Sequence, residues 1–322
     1  MSSFRPAWAL VLGGMLAPAV SATELEPCHI PGHSQEVLCG SHTVFEDRAA
    51  GSGRQLEIRY AVIPAVDEAA KEDPMVLLPG GPGQAGMDLA PFVELVLSEV
   101  NEERDIVLVD QRGMGSSHPL DCDFPEDSLQ DMSQDELDQL TRELLQSCLE
   151  ALDADVTLYT QDLANQDMHE ILTKLGYERV NLMGVSWGTR TAQLYAHSYP
   201  EQVRTVILDG SLPLRNTAPL YAGADGDRAL RRTFEDCAAD ADCSQAFPQL
   251  EADYQQLLDE LGEDGVSVTL ADPLTGEPAT YILTARRFGD ALRAILYSPG
   301  MSRVLPLIID RARQGDYRAL MG

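Results

Sequence analysis

Short, continuously apolar runs alternate with helical patterns through the middle of the chain. The runs Met75–Leu78, Asp105–Val109, Val180–Met183 and Val203–Leu208 are typical of strands buried on both faces of a sheet. Between them, apolar residues spaced three and four apart predict helices, one of which covers about 162–175 and ends at a glycine. Strands that alternate with helices predict an α/β fold, with a mostly parallel sheet covered on both faces.

Two further elements precede or interrupt this alternation. Residues His42–Glu46 and Gln55–Ile63 alternate apolar and polar positions around a glycine-containing turn, which predicts an antiparallel hairpin at a sheet edge. A helix is predicted over 137–152, where leucines recur at helical spacing and Ser133 and Glu136 form a capping box.

The alternation stops after Gly210. Residues 215–322 predict two helices, a hairpin over Val266–Leu283 that turns near Asp272-Pro273, and two more helices. We therefore expect a core domain over 23–214, followed by a helical cap that contains a short hairpin.

Residues 1–22 have the pattern of a cleaved export signal. Arg5 gives a basic start, Trp8–Val20 is apolar, and Val20-Ser21-Ala22 supplies small residues for cleavage. The apolar stretch is shorter than the roughly 20 residues that a membrane-spanning helix needs. The sequence thus predicts a secreted or periplasmic protein without a membrane span.

Export changes the meaning of the six cysteines, because an oxidising compartment favours disulfides. Six cysteines can be paired in 15 ways, but the cysteines of this chain fall into three pairs that are close in sequence. A zinc site is the alternative, and its spacing would be too open, with no histidine beside the last four cysteines. We therefore predict Cys28–Cys39, Cys122–Cys148 and Cys237–Cys243 as disulfides, and no metal site.

The charge balance limits the partners. Asp and Glu number 52 against 23 Lys and Arg, for a net charge of −29. Such a field repels both nucleic acid and an anionic membrane surface. We expect neither as a partner.

The segment Gly184-Val185-Ser186-Trp187-Gly188 stands directly after a predicted buried strand and directly before a predicted helix. A serine on such a tight strand-to-helix turn protrudes above the sheet at the positive end of the helix. This context predicts that Ser186 is a nucleophile. The alternative is a packing turn lined by glycines.

A serine that attacks a carbonyl group needs hydrogen-bond donors for the oxyanion. The backbone N–H of Trp187 is the first predicted donor, and the glycine-rich loop Leu78–Gly83 predicts the second at Gly81. Asp110 and Arg112 follow the next strand and could order the site as an ion pair, although a purely structural role is the favoured interpretation.

Together these segments resemble the α/β-hydrolase-fold serine peptidases of the proline iminopeptidase and tripeptidyl aminopeptidase group. The resemblance covers residue 26 to the end and is carried by LPGGPGQAG (78–86), DQRGMGSS (110–117), GVSWGTRTAQLYAHSYPEQVRTVILDG (184–210) and the cap with its cysteine pair. One departure is Pro79, where the family's glycine loop usually opens with histidine. The resemblance implies removal of residues from free peptide amino termini through an acyl-enzyme, without a metal or organic cofactor.

The histidines do not complete the expected triad. In this fold the order along the chain is Ser, then Asp or Glu, then His, and only His197 follows Ser186. His197 lies about three turns along the same predicted helix, which is too far from the serine. His118 breaks the chain order, and Asp209 would have no histidine to orient. We therefore expect the triad Asp and His to be absent from this chain, as in a longer peptidase truncated within its cap.

Two other functions stay open at this point. An esterase could use the same scaffold, because a nucleophilic serine does not by itself select amides over esters. A non-catalytic secreted binding protein would explain the absent base. Neither the oligomeric state nor the cap carboxylate that would receive a substrate amine can be read from the sequence.

Overall fold

The computed structural model describes residues 25–122, 132, 134–217, 220–272 and 275–321. The described residues form two compact units. The first contains those of residues 1–120 and 155–214, and the second contains those of residues 121–154 and 215–322. The predicted export signal, Ser133 of the predicted capping box and Pro273 of the predicted turn lie outside the described residues.

The strands are β1 (Glu26–Cys28), β2 (Val37–Phe45), β3 (Gln55–Ile63), β4 (Lys71–Leu78), β5 (Arg104–Val109), β6 (Val180–Val185), β7 (Val203–Asp209), β8 (Val266–Ala271) and β9 (Pro278–Leu283). The α-helices are α1 (Ala90–Val96), α2 (Ser98–Glu103), α3 (Gln134–Ala151), α4 (Gln161–Lys174), α5 (Gly188–Ser198), α6 (Ala222–Ala239), α7 (Ala241–Ala246), α8 (Leu250–Leu261), α9 (Ala285–Leu296), α10 (Leu305–Arg313) and α11 (Arg318–Met321).

The first unit is built on one seven-stranded sheet in the order β1-β2-β3-β5-β4-β6-β7. Strands β2 and β3 pair antiparallel as the predicted hairpin, and β4, β5, β6 and β7 run parallel to one another. The predicted mostly parallel sheet is therefore confirmed.

Alternate side chains of the central strands pack on opposite faces of this sheet. On one face, Val76 and Leu182 pack with the buried side chains of α4 and α5. On the other face, Leu77 and Leu108 pack with those of α1. Burial on both faces explains why the parallel strands appear in the sequence as uninterrupted apolar runs.

Strand β7 lies at the end of the sheet and pairs with β6 on one side only, among the described residues. Its apolar side chains are exposed: Val206, Ile207 and Leu208 are 38%, 45% and 38% accessible. The sequence of β7 is typical of an interior strand, yet the structure places it at an edge. An apolar edge with unpaired backbone groups is a template for pairing with another chain.

Replacing Ile207 with lysine is expected to reduce self-association of the protein, since a charge on an edge strand opposes edge-to-edge pairing. We expect the aggregation rate, measured by light scattering, to fall to about one fifth of the wild-type rate or lower. The matched control is Leu95→Lys on α1, where the side chain is 82% exposed and the change in net charge is the same. Equal effects of the two variants would contradict a specific role of the edge.

The second unit has a helical core of its own. Leu230, Leu257, Phe288 and Ile309, from α6, α8, α9 and α10, are buried together, and β8 and β9 form the predicted hairpin. The short helices α7 and α11 add to the two predicted on each side of the hairpin. Within the described residues, no helix combines the length and apolarity needed to cross a membrane.

The structure groups α3 with this second unit, whereas the sequence predicted residues 121–154 to be part of the core domain. Two side-chain contacts lie between this stretch and α9. Arg287 donates a hydrogen bond to the Met132 carbonyl oxygen at 3.3 Å, and Arg286 lies 3.7 Å from Asp138.

The structure contains the three predicted disulfides. Cys28–Cys39 links β1 to β2, Cys122–Cys148 fixes the chain to α3, and Cys237–Cys243 joins α6 to α7. Each closes a short loop, which lowers the entropy of the unfolded chain.

Candidate active site

Ser186 occupies the turn between β6 and α5. Its φ of 52° lies in the left-handed region, which non-glycine residues rarely adopt. The turn is held by a hydrogen bond of 2.8 Å from the Ser186 N–H to the carbonyl oxygen of Asp209, on the neighbouring β7. Ser186 is exposed to solvent. A strained serine whose side chain is accessible fits the geometry of a nucleophile.

The two glycines that flank Ser186 let this turn close. A β-carbon on Gly184 would lie 2.4 Å from the carbonyl oxygen of Gly188. A β-carbon on Gly188 would lie 2.0 Å from that of Leu78 and 2.7 Å from that of Pro79. Helix α5 therefore starts directly against the end of β4, where the glycine-rich loop begins.

The variant Gly188→Ala is expected to lower the free energy of unfolding by about 1–3 kcal/mol, because the added methyl group forces the backbone at Leu78 to move. Urea denaturation followed by circular dichroism measures this loss. The matched control is Gly289→Ala in α9, where a β-carbon meets no atom within 4 Å. We expect that control to be neutral or to stabilise by up to about 1 kcal/mol. Equal midpoints for Gly188→Ala and the wild type would contradict the close approach.

The glycine-rich loop lies beside the serine. A β-carbon on Gly80 would lie 3.2 Å from Ser186 Cβ and 3.7 Å from Ser186 Oγ. Gly81 follows with a φ of 104°, and its peptide bond to Pro82 is cis. The backbone thus passes close to the hydroxyl, as the sequence predicts for a loop that supplies an oxyanion donor. Trp187 directly follows Ser186 and is the N-cap residue of α5.

Asp110 and Arg112 have separate partners rather than forming an ion pair with each other. The buried carboxylate of Asp110 accepts hydrogen bonds from the N–H groups of Met87 at 2.9 Å and Ser116 at 3.0 Å. Because Met87 directly follows the segment LPGGPGQAG (78–86), which contains the glycine-rich loop, Asp110 fixes the end of that segment. The pair that the sequence left as the less favoured alternative is not formed, and the favoured structural role has a physical basis in these contacts.

Arg112 instead pairs with Asp167 on α4, a contact without any signal in the sequence. Arg112 donates to both carboxylate oxygens of Asp167, at 2.7 and 2.9 Å, and each side chain is 1% exposed. Arg48 donates to the same Asp167 at 2.6 and 2.8 Å, and to Glu170 at 2.5 and 3.2 Å. This network joins three stretches of the chain: the turn after β2, the loop after β5 and helix α4.

The network also sets the ionisation of Glu170. Burial raises the pKa of this carboxyl, but hydrogen bonds from Arg48 and His42 outweigh burial, and the pKa lies below its usual value. The contribution of Glu170 to stability is therefore present above its unfolded pKa of about 4.3 and is lost as the pH falls through the lower folded value.

Four of the six histidines contact residues other than the serine. His33, His42 and His169 contact Glu94, Glu170 and Gln202. His118 stacks on Tyr159 at a centroid distance of 6.4 Å, and its φ of 55° is also left-handed. His197 is exposed on the last turn of α5. No side chain of the described residues forms a hydrogen bond with the Ser186 hydroxyl.

The second unit carries many acidic residues, none of which the sequence singles out as a ligand for a substrate amine. Those that pair with arginines include Asp225, Asp227, Asp236 and Asp253. Glu235 and Glu251 line a cavity of about 910 Å³ together with Phe234 and Phe247, and Arg231 lines it as well. The hydrogen bond to Asp227 and, more weakly, the charge of Glu251 raise the pKa of Arg231, so this cavity already holds a cation of the chain itself.

Comparison with known proteins is consistent with this geometry. A family profile described as alpha/beta hydrolase fold matches residues 73–261, more than half of the chain, which confirms the predicted fold class and the resemblance. Serine protease Hip1 of Mycobacterium tuberculosis is 29% identical over 232 residues, 66% of this chain and 43% of that protein. Tripeptidyl aminopeptidase of Streptomyces lividans is 27% identical over 215 residues, 62% of this chain and 40% of that protein.

Among solved structures, proline iminopeptidase of Mycobacterium smegmatis aligns with a TM-score of 0.40 and 22% identity, over 73% of this chain and 64% of that one. The chain spans less than half the length of the two curated relatives described above.

Proposed function

This chain belongs to the α/β hydrolase fold family, and we propose that it is an exported serine aminopeptidase that uses Ser186 as its nucleophile. In this proposal, Ser186 Oγ attacks the carbonyl carbon of a peptide bond near a free amino terminus. The nitrogen of that bond leaves with a proton, an acyl-enzyme remains on Ser186, and water then releases the acyl group. The observation that carries the proposal is the left-handed, solvent-exposed Ser186 between β6 and α5.

The backbone N–H groups of Trp187 and Gly81 are the proposed donors to the oxyanion. This assignment is supported by the position of Trp187 at the start of α5 and by the approach of the neighbouring Gly80 to the Ser186 side chain. Donors fixed by the fold stabilise the developing negative charge without reorganisation, and each contributes about 10²–10³-fold to rate.

The proposed catalytic residues do not include a general-base histidine or the carboxylate that would orient it. The described residues bring neither an imidazole nor a carboxylate side chain into hydrogen-bond contact with the Ser186 hydroxyl. A serine without its base keeps only oxyanion stabilisation and substrate binding, several powers of ten below a complete triad. We therefore expect slow acylation by the isolated polypeptide.

Peptides are the proposed substrates because the relatives described above are named as a serine protease and an aminopeptidase. Export is supported by the three disulfides, which persist in oxidising compartments.

A pair of activated peptide esters tests the proposal. The purified chain is incubated with a peptidyl p-nitrophenyl ester that has a free amino terminus, or with its N-acetylated counterpart, and acyl-enzyme is quantified by intact mass spectrometry. We expect the free amine to acylate Ser186 about tenfold faster, because an aminopeptidase binds that charge. Ser186→Ala should form no adduct.

Each other outcome overturns a defined part of the proposal. Equal or faster acylation by the acetylated ester would contradict an aminopeptidase and favour the esterase. The absence of any Ser186-dependent adduct would contradict the nucleophile itself and leave the non-catalytic binding protein as the better hypothesis.

A further inference from the structure

The peptide group between Ser186 and Trp187 has two functional ends. Its N–H belongs to Trp187 and is a proposed oxyanion donor, whereas its carbonyl oxygen belongs to Ser186. The peptide bond is planar and trans, so the N–H and C=O point in opposite directions along one rigid plane. Any group that fixes the Ser186 carbonyl therefore also fixes the direction of the Trp187 N–H.

Thr189 holds this carbonyl by two hydrogen bonds. The Thr189 backbone N–H donates to the Ser186 oxygen at 3.0 Å, and the Thr189 hydroxyl donates to the same oxygen at 2.6 Å. The Thr189 residue is 0% exposed, so water does not compete for these bonds. Its side chain lies on the first turn of α5.

A third hydrogen bond orients the Thr189 hydroxyl. The backbone N–H of Leu212 donates to Thr189 Oγ1 at 2.9 Å. A hydroxyl group has one proton and two acceptor lone pairs. Because Leu212 occupies the acceptor side, the single proton is directed to the Ser186 oxygen.

The segment that carries Leu212 is itself attached to α5. Gln193 Nε2 donates to the Leu212 carbonyl oxygen at 3.0 Å and to that of Thr189 at 2.9 Å. Arg190 donates to the Leu214 carbonyl oxygen at 3.0 Å and lies 4.9 Å from the ring centre of Trp187. Two side chains of α5 thus hold the segment whose Leu212 N–H donates to Thr189.

From these contacts we propose that Thr189 is a positioning residue that aims the Trp187 N–H at the oxyanion. It acts by holding the opposite end of the same peptide group and does not touch the substrate. This inference rests on the proposed function, in which Ser186 is the nucleophile and Trp187 an oxyanion donor.

The test compares two substitutions of Thr189. Thr189→Val keeps the branched shape but removes the hydroxyl, and Thr189→Ser keeps the hydroxyl but removes a methyl group. The acylation of Ser186 by p-nitrophenyl acetate is followed over a range of ester concentrations, which separates the limiting rate constant from the half-saturating concentration. Acyl-enzyme counted by mass spectrometry gives the fraction of competent sites.

We expect Thr189→Val to lower the limiting rate constant about tenfold, because a misdirected donor loses part of the 10²–10³-fold contribution of an oxyanion hydrogen bond. The half-saturating concentration should not change, since the ground-state ester carries no oxyanion. Thr189→Ser should stay within about threefold of the wild type.

A purely structural role predicts a different result. It would reduce the fraction of competent sites in Thr189→Val but leave the rate constant of each competent site unchanged, and this result would overturn the inference. A loss in Thr189→Ser as large as in Thr189→Val would also overturn it, since the hydroxyl would then not be the operative group. If Thr189→Val does not fold, Thr189→Ala removes the same hydroxyl and takes its place, with the same expected loss and the same contradicting results.

Failure of the proposed function is recognised separately. If the wild type forms no adduct that Ser186→Ala abolishes, then the nucleophile assignment fails and this inference fails with it. If the wild type is acylated at Ser186 and Thr189→Val is acylated at the same rate, only the role of Thr189 is refuted.

Discussion

Imidazole added to the purified protein is expected to accelerate acylation of Ser186 at least about tenfold, since a general base typically contributes 10²–10⁴-fold and a free one recovers only part of that. The reason is that the described residues place no base at the Ser186 hydroxyl, and the exposed side chain leaves room for a small molecule. The base must be neutral to accept a proton. The acceleration should therefore rise with pH through the range near 6.5 in which imidazole groups titrate.

Two serine variants control this experiment. Ser186→Ala should lose both the acylation and its response to imidazole. Ser198→Ala removes an exposed hydroxyl from the end of the same helix and should behave as the wild type. Imidazole also cleaves p-nitrophenyl acetate in solution, so the quantity counted is the protein adduct that Ser186→Ala abolishes, at matched concentrations of remaining ester. Rapid acylation without imidazole, at rates ordinary for serine hydrolases, would contradict the expectation that the described residues supply no base to Ser186.

Much of the sheet could be predicted because local sequence determines it. The run Met75–Leu78 is apolar at every position, and burial on both faces requires that pattern. Strand β1, by contrast, has only three residues, Glu26, Pro27 and Cys28, with no alternation to read. It exists because it pairs with β2, to which Cys28 is also linked by a disulfide.

The grouping of α3 shows a different limit. Its leucines predict a helix but not what that helix packs against. Arg286 contacts Asp138 on α3, and Arg287 contacts Met132 just before it. The partners in each contact are about 150 positions apart in the sequence. Such pairing is not visible in composition or periodicity, because it depends on the fold of both segments.

The residues of the candidate site also fall into two groups: those that the local sequence predicts and those that only the fold brings together. Ser186 was predictable because the turn, the strand before it and the helix after it are contiguous in sequence. The contact between Thr189 and Leu212 spans 23 residues and depends on β7 lying beside β6. A local motif thus identifies the nucleophile, whereas the groups that orient its neighbours emerge only from the folded chain.

The largest expected loss of stability comes from Asp167→Asn. This change removes the charge that faces both Arg112 and Arg48, and it leaves the buried guanidinium of Arg112 without its counter-ion. Breaking a buried ion pair by removing one partner typically costs about 3–5 kcal/mol, because the remaining charge was desolvated on folding. We expect a loss of that size in the free energy of unfolding.

Trp187 provides the measurement, since the only other tryptophan of the chain is Trp8, within the predicted export signal. Its fluorescence in urea therefore reports on the unit that contains Asp167 once residues 1–22 are removed. The matched control is Glu57→Gln, which breaks the pair with Arg59 between side chains that are 51% and 46% exposed. That loss should stay below about 1 kcal/mol, as for other solvated ion pairs.

The comparison separates two explanations of the network around Asp167. If buried charge is what matters, Asp167→Asn destabilises by several times the effect of Glu57→Gln, and raising the salt concentration does not remove the difference, because buried pairs are poorly screened. If both variants lose the same small amount, Arg112 is solvated after the change, and the loop that follows β5 must be held mainly by Asp110 and its bonds to Met87 and Ser116. The distance of 2.7 Å and the burial of both side chains favour the first result, since a guanidinium that is 1% exposed is shielded from the bulk solvent that would have to replace the lost carboxylate.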